Sequence, residues 1–216
     1  MHSFTEENYL KAIYHLLAQT QSASTNDIAA ALGTKAASVT DMLKKLSDKS
    51  LINYARYQGV TLTNDGERVA LGIIRKHRIW ECFLVEKLNF KWDEVHEMAE
   101  ELEHISSAEL INRLDQFMGC PSFDPHGDPI PDHRGQIINQ KLQPALMMDK
   151  NQSGVIAGVA DHSPAFLQYL EKVRLLIGEK ITITDISDYD ISVKLTATNK
   201  EMNISREVAK NILIAI

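Results

Sequence analysis

The most restrictive stretch of this chain runs from Ser24 to Thr63. Ser24 and Thr25 precede a short helical pattern from Asp27 to Leu32, which Gly33-Thr34 breaks. A longer pattern follows from about Lys35 to Lys49, with Val39, Met42, Leu43 and Leu46 on one face. Then LINYARYQGVTLT alternates at Ile52, Tyr54 and Arg56, turns at Gln58-Gly59 and alternates back at Val60 and Leu62, as a β-hairpin does. Short helix, glycine turn, second helix and hairpin make a winged helix-turn-helix. The second helix of such a unit enters the major groove of double-stranded DNA. Its leading residues here are Lys35, Ala36, Ala37, Ser38, Thr40 and Asp41, small or hydrogen-bonding as close approach to base edges requires. Lys44, Lys45 and Lys49 are placed to reach phosphates, and Arg56 and Tyr57 sit on the wing. The other reading of this pattern is a helical module that packs on protein.

Charge along the chain separates the parts. Residues 1–63 hold six Lys/Arg and five Asp/Glu, a net of +1. Residues 64–140 hold eight and fifteen, a net of −7, and residues 141–216 hold nine of each. The total of −6 therefore hides a DNA-compatible start and an acidic middle. Five of the eight histidines (77, 96, 104, 126 and 133) fall in that middle. Imidazoles among carboxylates suggest a cation site, and a solvated acidic helix face is the bland alternative. No apolar run reaches the ~18 residues of a membrane helix. The opening MHSFTEENYLKAIYHL is acidic and amphipathic, unlike a secretory signal. Cys82 and Cys120 cannot form a disulfide framework, so a reducing cytoplasm is expected.

Thr5 can cap a first helix carrying Tyr9, Leu10, Ile13, Leu16 and Leu17. In the middle, Thr63 can start a long helix through RKHRIWECFLVEKL. Asp93 starts one over 93–105, and Ser106 with Glu109 forms a capping box for a third ending near Met118. At about 100° per residue, Glu100, Glu103 and His104 lie at about 40°, −20° and 80° from His96, one stripe of four potential ligands. His77 and Glu81, four apart on the preceding helix, share a face as well. A Pro/Gly-rich stretch follows, then a linker over 141–152. Beyond it, short alternating segments (Val155–Val159, KITITDIS, ISVKLTAT, Met202–Ser205, ILIAI) with a helix after Ser163-Pro164 suggest a small barrel over 153–216. The fold expected is mainly α with a small β domain: a winged helix (1–63), a helical dimerisation and metal-binding domain (64–140), a linker (141–152) and the barrel.

Five stretches, ENYLKAIYHL, ASVTDMLKKL, RKHRIWE, VHEMAEELEH and DPHGDPIP, resemble the diphtheria toxin repressor family of metal-dependent transcriptional regulators, in family order over nearly the whole chain. The resemblance implies an N-terminal domain on operator DNA, middle helices that form a homodimer and the metal sites, and a C-terminal SH3-like (FeoA-like) barrel. It implies that His77, Glu100, Glu103 and His104 match regulatory-metal positions and that Glu81 and His96 match a second site. Asp124 and His126 fall where several manganese-responsive members carry C-P-H-G. Asp161 or His162 matches a ligand from the C-terminal domain. The N-terminal ligand position, Met or Asp in the family, is Asn8, whose carbonyl oxygen can ligate. A further carboxylate position of manganese regulators holds Lys11, which cannot ligate while protonated.

The carboxylate of Glu100, where iron-responsive members carry Cys, is a hard donor, which favours Mn²⁺ over Fe²⁺; Zn²⁺ binding in vitro is compatible with any such site. The expectation is a metal-activated homodimeric repressor of metal-uptake genes on a palindromic operator, not an enzyme and not membrane-bound. The alternative is a winged-helix regulator with structural Zn²⁺ sites and another effector. A metallohydrolase would need an open coordination position and a general base, and no H-E-x-x-H motif is present.

Overall fold

In the computed structural model, which describes residues 2–18, 20–55, 59–198 and 200–215, the first helix opens at Ser3 rather than at Thr5. The Ser3 hydroxyl accepts the Glu6 N–H, and the Glu6 carboxylate accepts the Ser3 N–H, so helix α1 (Phe4–Leu17) starts on a reciprocal box. A second box, Ser24 with Asp27, starts α2 (Thr25–Ala31). Helix α3 (Ala36–Asp48) follows Lys35, which supplies no side-chain cap. Strands β1 (Ile52–Ala55) and β2 (Gly59–Leu62) pair antiparallel, Ile52 opposite Leu62, and Ala23 adds a bridge to Val60. Leu10 and Ile13 of α1, Ile28 of α2 and Val39, Leu43 and Leu46 of α3 close over this hairpin as one core. That is the winged helix-turn-helix expected from the sequence. Arg56 and Tyr57, expected on the wing, lie outside the described residues.

Helix α4 (Asn64–Leu88) follows at once. The Thr63 hydroxyl donates to the Ser50 carbonyl and accepts the Gly66 N–H. A Cβ at Gly66 would overlap the Leu51 carbonyl oxygen, so only glycine lets the helix start this close to the hairpin. Helix α5 (Val95–Leu102) is shorter than the expected 93–105. Residues 92–94 form a turn before it, and Glu103 and His104 lie in a turn after it. Helix α6 (Ala108–Phe117) starts two residues past Ser106. Glu109 accepts from Arg113 one turn on, at 2.6 Å.

Two compact units divide the chain. One takes in the residues up to His77 with Glu100–Ala108 and Pro131–Gln136; the other takes in Arg78–Ala99, Glu109–Ile130 and the residues from Ile137 on. In the second unit, Ile79, Cys82, Ile111, Leu114 and Ile130 form one small core. A larger core lies under six antiparallel strands: β3 (Leu142–Pro144), β4 (Ser153–Val159), β5 (Lys180–Ile186), β6 (Val193–Ala197), β7 (Lys200–Ile204) and β8 (Ile212–Ala215). Their order is β3-β8-β4-β5-β6-β7. Helix α7 (Pro164–Val173) buries Phe166, Leu167 and Leu170 in that core, and α8 (Arg206–Asn211) adds Ala209.

The expected barrel is corrected to an open sheet: among the described residues no pairing joins β3 to β7. Strand β3 is three residues long and includes Pro144, which has no N–H to give, so it ends the ladder. Irregularities between Ile156 and Gly158 and between Ile183 and Asp185 bend the long strands without closing them. The stretch 141–152, expected as a linker, holds β3 and a 3-10 turn (Ala145–Met147), with Ala145 and Met148 buried in the sheet core.

Candidate functional site

In the second unit, α4 presents Arg78, Glu81 and Cys82 towards the loop 121–130. Arg78 fixes this loop: its guanidinium donates to the Pro129 carbonyl at 2.6 Å and to Asp128 at 2.8 Å, and its Nε lies 3.4 Å from Asp124. One Asp124 oxygen accepts the N–H groups of His126 and Asp128, which makes a tight Asx-type turn. The loop rests on the sheet through the Val159 N–H, which bonds the His126 carbonyl at 3.1 Å. A Cβ at Gly127 would overlap the Ala157 carbonyl oxygen, and its φ of +87° suits glycine alone.

This geometry gathers Glu81, Asp124 and His126, all buried, with one ligand atom of each within 4.8 Å of the others. The His126 Nε2 lies 2.7 Å from the Trp92 carbonyl oxygen, which can only accept, so Nε2 carries a hydrogen. The other ring nitrogen, Nδ1, faces Glu81 at 3.7 Å and Asp124 at 4.0 Å. An imidazole oriented by a carbonyl on one nitrogen, with the other aimed at carboxylates, is the usual preparation of a metal ligand. Burial pushes the Asp124 carboxyl up, and the charges of Glu81 and Asp128 add to that more than Arg78 offsets. Burial pushes the His126 imidazole down, but the facing Glu81 carboxylate and the charge of Asp124 outweigh it and raise it. A buried, crowded anionic cluster with two hard oxygen donors and one imidazole fits a divalent cation.

The neighbours of the cluster differ in what they can add. His96, exposed on α5, lies 3.5 Å from the other Glu81 oxygen. The His162 ring stacks 5.0 Å from that of His126. Asp161 instead accepts the Ser163 N–H at 2.8 Å, at the start of α7. Cys82 donates to the Phe123 carbonyl, and burial together with Asp124, Glu86 and Glu81 pushes its thiol far up, so it stays protonated. Arg78 and the Trp92 carbonyl went unnoticed in the sequence. Arg78 had a weak signal, a cation about one turn before Glu81 on α4 but next to Arg75 and Lys76; a backbone carbonyl has none.

The first unit places a different set of groups together. Glu103 is 0% exposed, and its carboxylate accepts from His77 Nδ1 at 2.6 Å. Lys11 of α1 donates to both Glu103 oxygens at 2.8 Å and lies 3.6 Å from Glu100. Burial pushes the Glu103 carboxyl up, but the His77 hydrogen bond and the Lys11 charge and hydrogen bond prevail and hold it low. His104 bonds Glu7 through Nδ1 at 2.7 Å and stacks on Phe4, while Asn8 is exposed. Among the described residues, Glu100, Glu103 and His104 do not form a group of mutually close ligand atoms. A divalent cation does not fit here as the side chains stand, because an ammonium already lies against the carboxylate that would ligate it.

On α3, Lys35, Ala37, Ser38, Lys44 and Lys45 are exposed. The Thr40 hydroxyl is turned back onto the Ala36 carbonyl at 3.0 Å. Lys44 lies 3.4 Å from Asp41, while Lys45 and Lys49 reach the Glu6 carboxylate at 3.0 and 2.7 Å. The lysines expected on phosphates are therefore partly engaged within the protein.

A winged helix followed by long helices and a C-terminal antiparallel sheet, with buried carboxylate–imidazole clusters, is the build of a metal-dependent regulator. Three family descriptions match in that order: the iron-dependent repressor N-terminal DNA-binding domain (residues 1–60), the iron-dependent repressor metal-binding and dimerisation domain (63–132) and the FeoA domain (144–216). The iron-dependent repressor IdeR of Mycobacterium tuberculosis is 32% identical over 127 residues, 59% of this chain and 55% of that one. The match thus spans about half the length of that relative. The transcriptional regulator MntR of Lysinibacillus sphaericus is 32% identical over 108 residues, 50% of this chain and 77% of that one. A manganese-dependent transcriptional repressor solved in complex with manganese is 30% identical, covers 97% of this chain and 99% of its own, and superposes with a TM-score of 0.86. The chain belongs to the iron-dependent repressor family, a family of transcriptional regulators and not of enzymes. Among the described residues no helix is long and apolar enough to cross a membrane.

Proposed function

We propose that this chain is a metal-activated DNA-binding repressor of metal-uptake genes, working as a homodimer on a palindromic operator. Glu81, Asp124 and His126 would hold the ion, with His96 and His162 beside them. The observation that carries this reading is the buried Glu81–Asp124–His126 cluster. Its carboxylates crowd one another, and its imidazole is turned by the Trp92 carbonyl to offer Nδ1. A bound divalent cation would relieve the repulsion between these buried carboxylates. Two carboxylate donors and no thiolate favour Mn²⁺, with Fe²⁺ next; Zn²⁺ binds such ligands in vitro as well. The chain does the rest: Arg78 holds the Asp124 loop against α4, and the exposed Lys35, Ala37 and Ser38 lead α3 into the groove. Leu110 and Phe117 stand exposed on α6, with Phe117 66% exposed, and offer an apolar face to a second copy.

The test is fluorescence anisotropy of the apo-protein on labelled DNA from upstream of its own gene, titrated with Mn²⁺, anaerobic Fe²⁺ or Zn²⁺. Binding that appears with Mn²⁺ or Fe²⁺ and reverses with chelator supports the reading. Equal binding with and without metal contradicts it and favours a regulator with another effector.

A further inference from the structure

We infer that Lys11 is a resident cation: its ammonium occupies the Glu103 position in place of a divalent ion, and this chain loads its metal at the Glu81–Asp124–His126 cluster instead. The second half of that statement rests on the function proposed above; the first half stands on its own geometry.

The two centres differ in charge. At Glu103, a buried carboxylate meets a lysine that donates to both of its oxygens at 2.8 Å, and His77 donates to it as well. The same ammonium lies 3.6 Å from Glu100. The charge of Glu103 is already met by a side chain of the protein. A divalent ion bound to Glu103 sits about 2.0–2.3 Å from the carboxylate oxygen. It would meet the ammonium at a separation where two like charges repel strongly, so Lys11 would have to leave. Lys11 is largely buried, 15% exposed at its side chain, and leaving would also surrender a charge-assisted pair. His104 gives its Nδ1 to Glu7, and Asn8, one turn before Lys11, is neutral and exposed. At the other centre, Glu81 and Asp124 converge with Asp128 nearby; Arg78 lies 3.4 Å from Asp124, and His126 and His96 face Glu81 with imidazole nitrogens, which can themselves serve as ligands.

A consequence follows for the winged helix. Lys11 belongs to α1, so its ion pair with Glu103 fastens α1 to the turn after α5. That link needs no metal and no chelator removes it.

The experiment counts Mn²⁺ per chain by equilibrium dialysis with atomic absorption, on the full-length protein and on Glu103→Gln, Lys11→Gln and the double variant. One ion per chain is expected, unchanged in number and within about twofold in affinity for Glu103→Gln. Lys11→Gln should gain a second ion, and the double variant should lose it again. If the unsubstituted protein binds two ions and Glu103→Gln binds one, the inference is overturned. A folded Lys11→Gln protein that gains no ion overturns it equally. Should Lys11→Gln not fold by circular dichroism, the Glu103→Gln count decides alone. An unsubstituted protein that binds no ion would refute the Glu81–Asp124–His126 site, while a gain on Lys11→Gln would still establish the role of Lys11.

Discussion

Asp124 does two jobs with its two oxygens. One holds the loop by accepting the N–H groups of His126 and Asp128, and the carboxylate as a whole faces Glu81 and His126. Asp124→Ala therefore removes a donor and loosens the turn that aims the imidazole. The expected outcome is loss of measurable Mn²⁺ binding in dialysis, with helix content by circular dichroism unchanged. Arg78 acts by positioning: it fastens Asp128 and the Pro129 carbonyl, and its Nε lies against the Asp124 carboxylate. Arg78→Met should weaken Mn²⁺ binding by about 10–100-fold, the usual cost of removing a group that orients a ligand. In the sequence, Glu81 stands out by its spacing from His77, whereas Asp124 and His126 are named only through the family resemblance. The grouping is not legible there, since only the fold carries residues 124–126 back to α4.

At the scale of elements, Glu6 links the start of α1 to the end of α3. It closes the capping box with Ser3, and Lys45 and Lys49 converge on its carboxylate. Burial works to raise this carboxyl, yet the Lys49 and Lys45 hydrogen bonds and the Ser3 N–H prevail and lower it to about 2. A carboxyl depressed in the folded state adds stability above its unfolded value, near 4.5, and loses it as pH falls from there towards about 2. Thermal midpoints should therefore drop over that interval, and Glu6→Gln should drop less steeply while starting lower at neutral pH. The ligand stripe on α5 shows how helix ends mislead. Periodicity places Glu103 and His104 on the helix with His96, but α5 stops at Leu102. Glu103 turns inward to Lys11 and His77, contacts made by residues far away in the chain that no local pattern encodes. The helix-turn-helix was legible because its glycine break and hairpin are local signals.

For the whole molecule, metal and stability are linked. An ion that binds only the folded chain stabilises it by about 2.7 kcal/mol at a hundred times its Kd. For a chain of this length that corresponds to a Tm increase of roughly 5–10 °C. Differential scanning fluorimetry should show such a shift with Mn²⁺, reversed by chelator and absent in Asp124→Ala. The sheet was legible strand by strand from alternation, but its closure was not. Whether β3 meets β7 depends on the register and bend of every strand between them, and a three-residue β3 ending in Pro144 leaves the sheet open.

The most direct measurement is an anomalous difference map from crystals grown with Mn²⁺. A single strong peak per chain among Glu81, Asp124 and His126, with Lys11 still on Glu103, is the expected result. A peak beside Glu103 with Lys11 displaced, and none at Asp124, would contradict it.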